Sequence, residues 1–112
     1  GSNRLKIELN DLMKGMRPEV VIERNLYRCI QEILNNTLKY SKATTLYLDL
    51  LWRDNYLFVQ ATDDGIGMEP MTNGEFKGLE GIKGRVEAMG AELSVESNPG
   101  EGVSIHIAIP LE

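Results

Sequence analysis

Glu32-Ile33-Leu34-Asn35-Asn36-Thr37-Leu38-Lys39-Tyr40, followed beyond a strand hairpin by Asp63-Asp64-Gly65-Ile66-Gly67, decides how this chain reads. The first run has helical spacing, yet it carries a carboxylate, two amides, an amine and a phenol. At about 100° per residue, Glu32, Asn36, Lys39 and Tyr40 share one arc of the helical wheel. Asn35 lies at the edge of that arc. Leu26, Ile30, Ile33, Leu34, Thr37 and Ser41 occupy the opposite arc, which reads as the core face. Such a helix has a side that packs and a side that holds something.

Outward from that run, the chain alternates between strand and helix patterns. Arg4 to Asn10 alternates as a short strand. Gly15-Met16-Arg17-Pro18 is a loop, and Pro18 opens a long helix from about Glu19 to Lys42. Thr44 to Trp52 is a strand with Leu46, Leu48 and Leu50 on one face. Arg53-Asp54-Asn55 turns the chain, and Tyr56 to Asp63 returns with Leu57, Val59 and Ala61 in a row. Period two carries Asp63 onto that same apolar face, where a carboxylate needs a purpose. Trp52 and Tyr56 flank the turn as packing residues.

Gly65 to Gly81 breaks the pattern with glycines, Pro70 and Asn73-Gly74. Leu79, Ile82, Val86 and Met89 then recur at helical spacing, and Gly90 marks the helix end. Ala91 to Ser97 and Val103 to Pro110 are strands joined by Asn98-Pro99-Gly100-Glu101-Gly102. The order strand, helix, hairpin, loop, helix, hairpin rules out a doubly wound parallel sheet. It predicts an α/β (α+β) two-layer sandwich, a mixed, mostly antiparallel sheet with helices on one face.

Composition narrows the function. With 112 residues and 42% apolar content, the chain has room for one core. Gly1-Ser2 reads as an expression-tag scar, which leaves residues 3–112 as the domain. No apolar run reaches membrane-span length and no signal-like segment opens the chain. The net charge of −5 and the lack of a basic, aromatic-interleaved stripe speak against direct nucleic-acid binding. One cysteine, Cys29, excludes an internal disulfide and reads as a small buried hydrophobe. With one histidine beside it, no zinc site of ordinary spacing can form. No P-loop and no Gly-x-Gly-x-x-Gly occurs.

Glu32-x-x-x-Asn36-x-x-Lys39-Tyr40, Asp63-x-Gly65-x-Gly67 and Gly78-Leu79-Glu80-Gly81-Ile82 resemble the N, G1 and G2 boxes of the GHKL nucleotide-binding fold. That superfamily takes in gyrase, heat-shock chaperone, histidine kinase and MutL ATPases. Leu26 to Glu32, Gly90 to Leu93 and Pro99 to Val103 look like the catalytic, ATP-binding domain of sensor histidine kinases. The subgroup it is most similar to signals to helix-turn-helix response regulators. The resemblance covers roughly Arg4 to Leu111, nearly the whole chain. Each box alone has a plainer reading: a solvated helix face, a turn, a helix entry. Three boxes in the right order on matching elements carry the resemblance.

The resemblance implies a fragment of a larger kinase that binds ATP and Mg²⁺ and serves a histidine on a separate dimerisation domain. It further implies a response regulator as partner, a homodimeric parent, and a cytoplasmic domain, and it leaves open whether the parent is anchored in the inner membrane. Asp63 would accept the exocyclic amine of adenine, where guanine would present a mismatched carbonyl. Gly65 and Gly67 would let the backbone pass close to base and sugar. Asn36 would be the metal ligand, a neutral oxygen being enough for an ion that keeps waters and phosphates. Lys39 would reach a phosphate, and Tyr40 would stack on adenine. Gly78 and Gly81 would open the second helix as a phosphate-binding N-terminus, with Arg85 one turn later as a further phosphate contact. Glu32 and Lys39 are the candidate catalytic residues; Glu32 would polarise a metal-bound water or orient the acceptor. Met68 to Lys77 would be an ATP lid, disordered without nucleotide.

The chain departs from the subgroup in three places. Tyr40 replaces its usual histidine, and no F box is evident, since Phe76 sits in too short a lid. The phosphoacceptor histidine is missing: His106 lies mid-strand, opposite in parity to Val103, Ile105, Ile107 and Ile109, as a solvent-side or interface residue. A stand-alone GHKL ATPase, an anti-sigma-type serine kinase and a degenerate docking module are the competing functions.

Overall fold

Five strands, β1 (Lys6–Leu12), β2 (Thr45–Arg53), β3 (Tyr56–Asp63), β4 (Glu92–Ser97) and β5 (Val103–Pro110), form one sheet. In the computed structural model, which describes residues 4–67 and 78–111, their spatial order is β1-β2-β3-β5-β4. β1 runs parallel to β2, and every other pairing is antiparallel. The parallel pair needs a long crossover, which α1 (Val20–Asn36) supplies. A second helix, α2 (Glu80–Ala88), leads into β4.

The expected sandwich forms because the alternating rows fall on one side. Leu46 and Leu48, then Leu57, Val59 and Ala61, then Ile105, Ile107 and Ile109 are all buried on the inner face. Leu26, Cys29 and Ile33 of α1 and Ile82 and Val86 of α2 cover them, with Leu79 and Met89 closing the ends. Ile30 and Leu34, expected on the core face, are only partly buried. Cys29 is fully buried instead, in one cluster with Ile82 and Val86 of α2. None of the described helices is long and apolar enough to cross a membrane.

The β2–β3 hairpin closes through Asp54 and Asn55, at φ 49° and 64°. Positive φ at both central residues is the turn geometry whose twist matches paired strands, and Asp and Asn tolerate it. Beside the hairpin, Tyr56 stacks on Phe58 with ring centroids 5.5 Å apart. His106 lies on the outer face, half-buried, with Nε2 3.1 Å from Ser104 Oγ.

The first helix departs from its expected span. Instead of one α-helix from Glu19 to Lys42, α1 ends at Asn36 and a π-helical turn covers Thr37–Ser41. Lys42 then takes the left-handed conformation at φ 53°. Two buried hydroxyls bond back along the helix, Thr37 Oγ1 to Ile33 O at 2.9 Å and Ser41 Oγ to Thr37 O at 2.8 Å. Back-bonding of this kind loosens the regular ladder, and π turns concentrate where side chains must be re-aimed. Here the turn carries Lys39 and Tyr40.

Candidate functional site

The end of α1 and its π extension form one side, and the start of α2 faces them. Asn36 donates Nδ2 to the carbonyl of Gly78 at 2.6 Å, across 42 residues of sequence. Gly78 holds φ 87°, and a Cβ there would meet Asn36 Oδ1 at 2.7 Å and the Tyr40 ring at 3.4 Å. Only glycine tolerates both the angle and the approach. One turn earlier on α1, the Glu32 carboxylate lies against Gly81, where a Cβ would sit 2.5 Å from Oε2. Arg85 Nε faces Glu32 Oε1 at 3.7 Å. Lys39 Nζ lies 5.4 Å from the Tyr40 ring centroid, and Lys39 is otherwise exposed.

Among the described residues no side chain caps the leading amides of α2. Its N-cap is Leu79, which offers no side-chain acceptor, and the first helical bond runs from Lys83 N to Leu79 O at 2.9 Å. A helix start without a capping oxygen presents N–H groups and a positive dipole end to an anion.

Asp63 ends β3 on the inner face, in register with Leu46, and is 6% exposed. Its Oδ1 accepts the Gly65 N–H at 2.8 Å. Burial pushes the carboxyl's pKa up, while hydrogen bonds from the Gly65 and Val103 amides pull the other way. Its neighbour Asp64 points outward with a different task. It accepts Thr44 N at 2.8 Å, Thr45 N at 3.0 Å and Thr44 Oγ1 at 2.6 Å. Those bonds hold Asp64 below the usual carboxylate range. Asp64 therefore pins the entry to β2, and Asp63 alone of the two carboxylates faces the interior.

The structure brings the candidate residues together in two groups joined by the π turn. Glu32, Asn36 and Tyr40 meet Gly78, Gly81 and Arg85; Asp63 meets Gly65. A Cβ on Gly65 would fall 2.2 Å from Ser41 O, and Ile66 N donates to that same oxygen at 2.8 Å. Gly67, at φ 76°, packs on the Asn98 carbonyl. Arg85, expected at a phosphate, is placed beside Glu32. Met68 to Lys77, the expected lid with Phe76, lies outside the described residues.

Three contributors escaped the reading of the sequence. Gly102 presses on the Asp63 backbone, where a Cβ would sit 2.2 Å from Asp63 O. Its signal was the Gly-x-Gly at 100–102, which reads locally as a hairpin turn. Thr37 and Ser41 shape the π turn, but hydroxyls on a core face look like ordinary small residues.

A magnesium ion would find one donor type here. Among the described residues no group of three or more His, Cys, Asp or Glu side chains could hold a metal. Asn36 commits Nδ2 to Gly78 and keeps Oδ1, a neutral oxygen, for other partners. That donor set fits an ion that arrives already ligated by phosphate and water, and it does not fit an all-protein cage.

Comparison with known proteins gives a consistent picture. Residues 21–112 match the family described as histidine kinase-, DNA gyrase B- and HSP90-like ATPases. The chain is 40% identical over 90 residues to the sensor histidine kinase ComP of Bacillus subtilis, covering 78% of this chain and 12% of that protein. It is 34% identical over 91 residues to the sensor protein VraS of Staphylococcus saprophyticus, covering 80% and 26%. With the signal transduction histidine-protein kinase/phosphatase DegS of Brevibacillus brevis it shares 30% over 106 residues, covering 94% and 28%. It thus spans between about an eighth and a quarter of those relatives' length. The histidine kinase domain of a blue-light activated kinase from Erythrobacter litoralis superposes with a TM-score of 0.81 at 24% identity, over 99% of this chain and 54% of that one. The histidine kinase AdeS of Acinetobacter baumannii gives 0.78 at 14%, over 98% and 56%.

Proposed function

The chain belongs to the histidine kinase-, DNA gyrase B- and HSP90-like ATPases, and from that premise we propose that it is the ATP-binding catalytic domain of a two-component sensor histidine kinase. It positions Mg-ATP for γ-phosphoryl transfer to a histidine on a separate, dimerising helical domain of the same protein, from which a response regulator draws the phosphoryl group. The parent is a homodimer, and this domain works in the cytoplasm whether or not the parent is membrane-anchored.

One observation carries this reading: Asn36 and Glu32 of α1 close onto Gly78 and Gly81 at the start of α2. The contact sets the start of α2, which has no side-chain cap, against the polar face of α1. Asp63 takes the exocyclic amine of adenine from below, Tyr40 lies along the base, and Lys39 and the leading amides of α2 hold phosphates. Asn36 Oδ1 would hold magnesium as its one ligand from the described residues, and the ion would supply neutralisation of phosphate charge. In the transfer, a neutral imidazole nitrogen bonds to the γ-phosphorus as the bond to ADP's terminal oxygen breaks. ADP leaves with that electron pair, and the ring loses its other N–H proton to a base. This chain's part is placement and charge neutralisation. Glu32, beside the α2 start, orients the acceptor or a metal-bound water.

Calorimetric titration with a non-hydrolysable ATP analogue and with GTP, each with and without Mg²⁺, tests the reading. Adenine-selective binding strengthened by Mg²⁺ supports it. No binding of either nucleotide refutes it and moves the docking-module reading ahead. ATP hydrolysis by this chain alone, lost in Glu32→Gln, would replace it with a stand-alone ATPase.

A further inference from the structure

We propose that Arg85 is a positioning residue for Glu32 and not a phosphate contact. The proposal rests on the kinase reading above and names how one residue of that site is held.

Three observations support it. First, Arg85 follows Gly81 by one turn, so both face α1, and Glu32 meets both. The backbone of α2 at Gly81 stops the carboxylate from moving inward, and Arg85 Nε stands 3.7 Å from Oε1. Second, the two side chains are about equally shielded, 36% exposed for Arg85 and 34% for Glu32. Within them, Arg85 Nε and Glu32 Oε2 are cut off from solvent and have no hydrogen-bond partner. Two opposite charges with stranded atoms this close are each other's nearest compensation; removing one leaves the other shielded and unpaired. Third, Arg85 lines a surface groove with Arg24, Tyr27 and Arg28. Those residues precede Glu32 on α1, whereas Asn36, Lys39 and Tyr40 follow it. Arg85 therefore approaches Glu32 from the side away from the Asn36–Gly78 contact, where the phosphates are read.

Gly81 limits how far the carboxylate moves inward, and the guanidinium 3.7 Å away favours one orientation of it. A side chain that acts on an incoming acceptor needs that fixed direction. Arg85 does not touch nucleotide in this arrangement, so its loss should be felt in the transfer rate and not in nucleotide affinity.

The test combines two measurements. On this chain, calorimetry compares ATP-analogue affinity for wild type, Arg85→Gln and Arg85→Lys, with melting temperature checking the fold. In the full-length kinase that supplies the acceptor histidine, kcat and KM for ATP are measured for the same variants, for Glu32→Gln and for the double variant. Expected are an Arg85→Gln affinity and KM within about twofold of wild type, and a kcat lowered about tenfold or more. Arg85→Lys should recover most of the rate, and the double variant should be no slower than Glu32→Gln. A tenfold loss of ATP-analogue affinity in Arg85→Gln would make it a phosphate contact and overturn the proposal. Additive losses in the double variant would overturn it as well. Wild-type chain that binds no adenine nucleotide would instead sink the kinase reading beneath it.

Discussion

The side-chain amide of Asn36 and the carbonyl of Gly78 lie 2.6 Å apart, joining the end of α1 to the loop that opens α2. This one bond sets which way the Asn36 amide faces. With Nδ2 spent on Gly78, only the oxygen is left for a cation.

Asn36→Asp removes that donor and places a carboxylate oxygen against a carbonyl. Mg²⁺-dependent ATP-analogue affinity should fall by about tenfold or more, consistent with the loss of a charge-relevant hydrogen bond and added repulsion toward phosphate. Titrations at several Mg²⁺ concentrations check it. A variant with an unchanged Mg²⁺ dependence would remove Asn36 from the metal's ligands.

Asp63 and Asp64 are neighbours with opposite pKa shifts, and their variants should separate. Asp63 has a raised folded pKa, so its ionised form opposes folding once pH rises through that value; neutralising it costs the fold little. Asp63→Asn should therefore abolish adenine selectivity with a nearly unchanged melting temperature for the nucleotide-free protein. Asp64 has a lowered folded pKa, so its stabilisation is present above the ordinary carboxylate pKa and is lost as pH falls through the lower one. Asp64→Asn should lower the melting temperature at neutral pH and flatten its acid dependence, while nucleotide affinity holds. Melting curves between neutral and acid pH, paired with calorimetry, distinguish the two.

Gly100 and Gly102 both hold positive φ, at 83° and 77°, but only one is crowded. A Cβ on Gly100 meets nothing within 4 Å, so Gly100→Ala should cost only the backbone term of about 1–2 kcal/mol. Gly102→Ala adds a clash with the Asp63 carbonyl and should cost clearly more. It should also weaken adenine binding by displacing Asp63. Chemical denaturation of both variants gives the comparison, and equal losses would contradict it.

Burial raises the Cys29 thiol to about 11, with the Glu32 charge adding to the shift. At pH 8 its thiolate is scarce and sealed under α2. Reaction with a thiol reagent should therefore wait for unfolding, at a rate that rises with denaturant as the unfolded fraction does. Fast modification of the native protein would show that α1 and α2 separate readily.

Period fixes the strand faces more closely than the helix face, where Ile30 and Leu34 are only partly buried and Cys29 is enclosed. Alternation in Leu57, Val59 and Ala61 carried Asp63 to the inner face, because a strand leaves a side chain only two faces. The spacing of Leu79, Ile82, Val86 and Met89 placed α2 correctly. The resemblance in the three boxes named the family before any geometry was known. The end of the first helix was misread, since propensity cannot show that the Thr37 and Ser41 hydroxyls bond back and open a π turn.

Partners far apart in sequence were decided by tertiary structure alone. That Glu32 would rest on Gly81, that Arg85 would face it, and that Gly102 would press on Asp63 depend on how α2 and the last hairpin close over the sheet. Periodicity reports which face of an element is apolar; it carries no information on which residue of another element arrives opposite. The layers, the family and the inward carboxylate are legible in the order and spacing of residues. Packing decided which groups hold one another there, because a close contact is a property of two surfaces and neither segment encodes it alone.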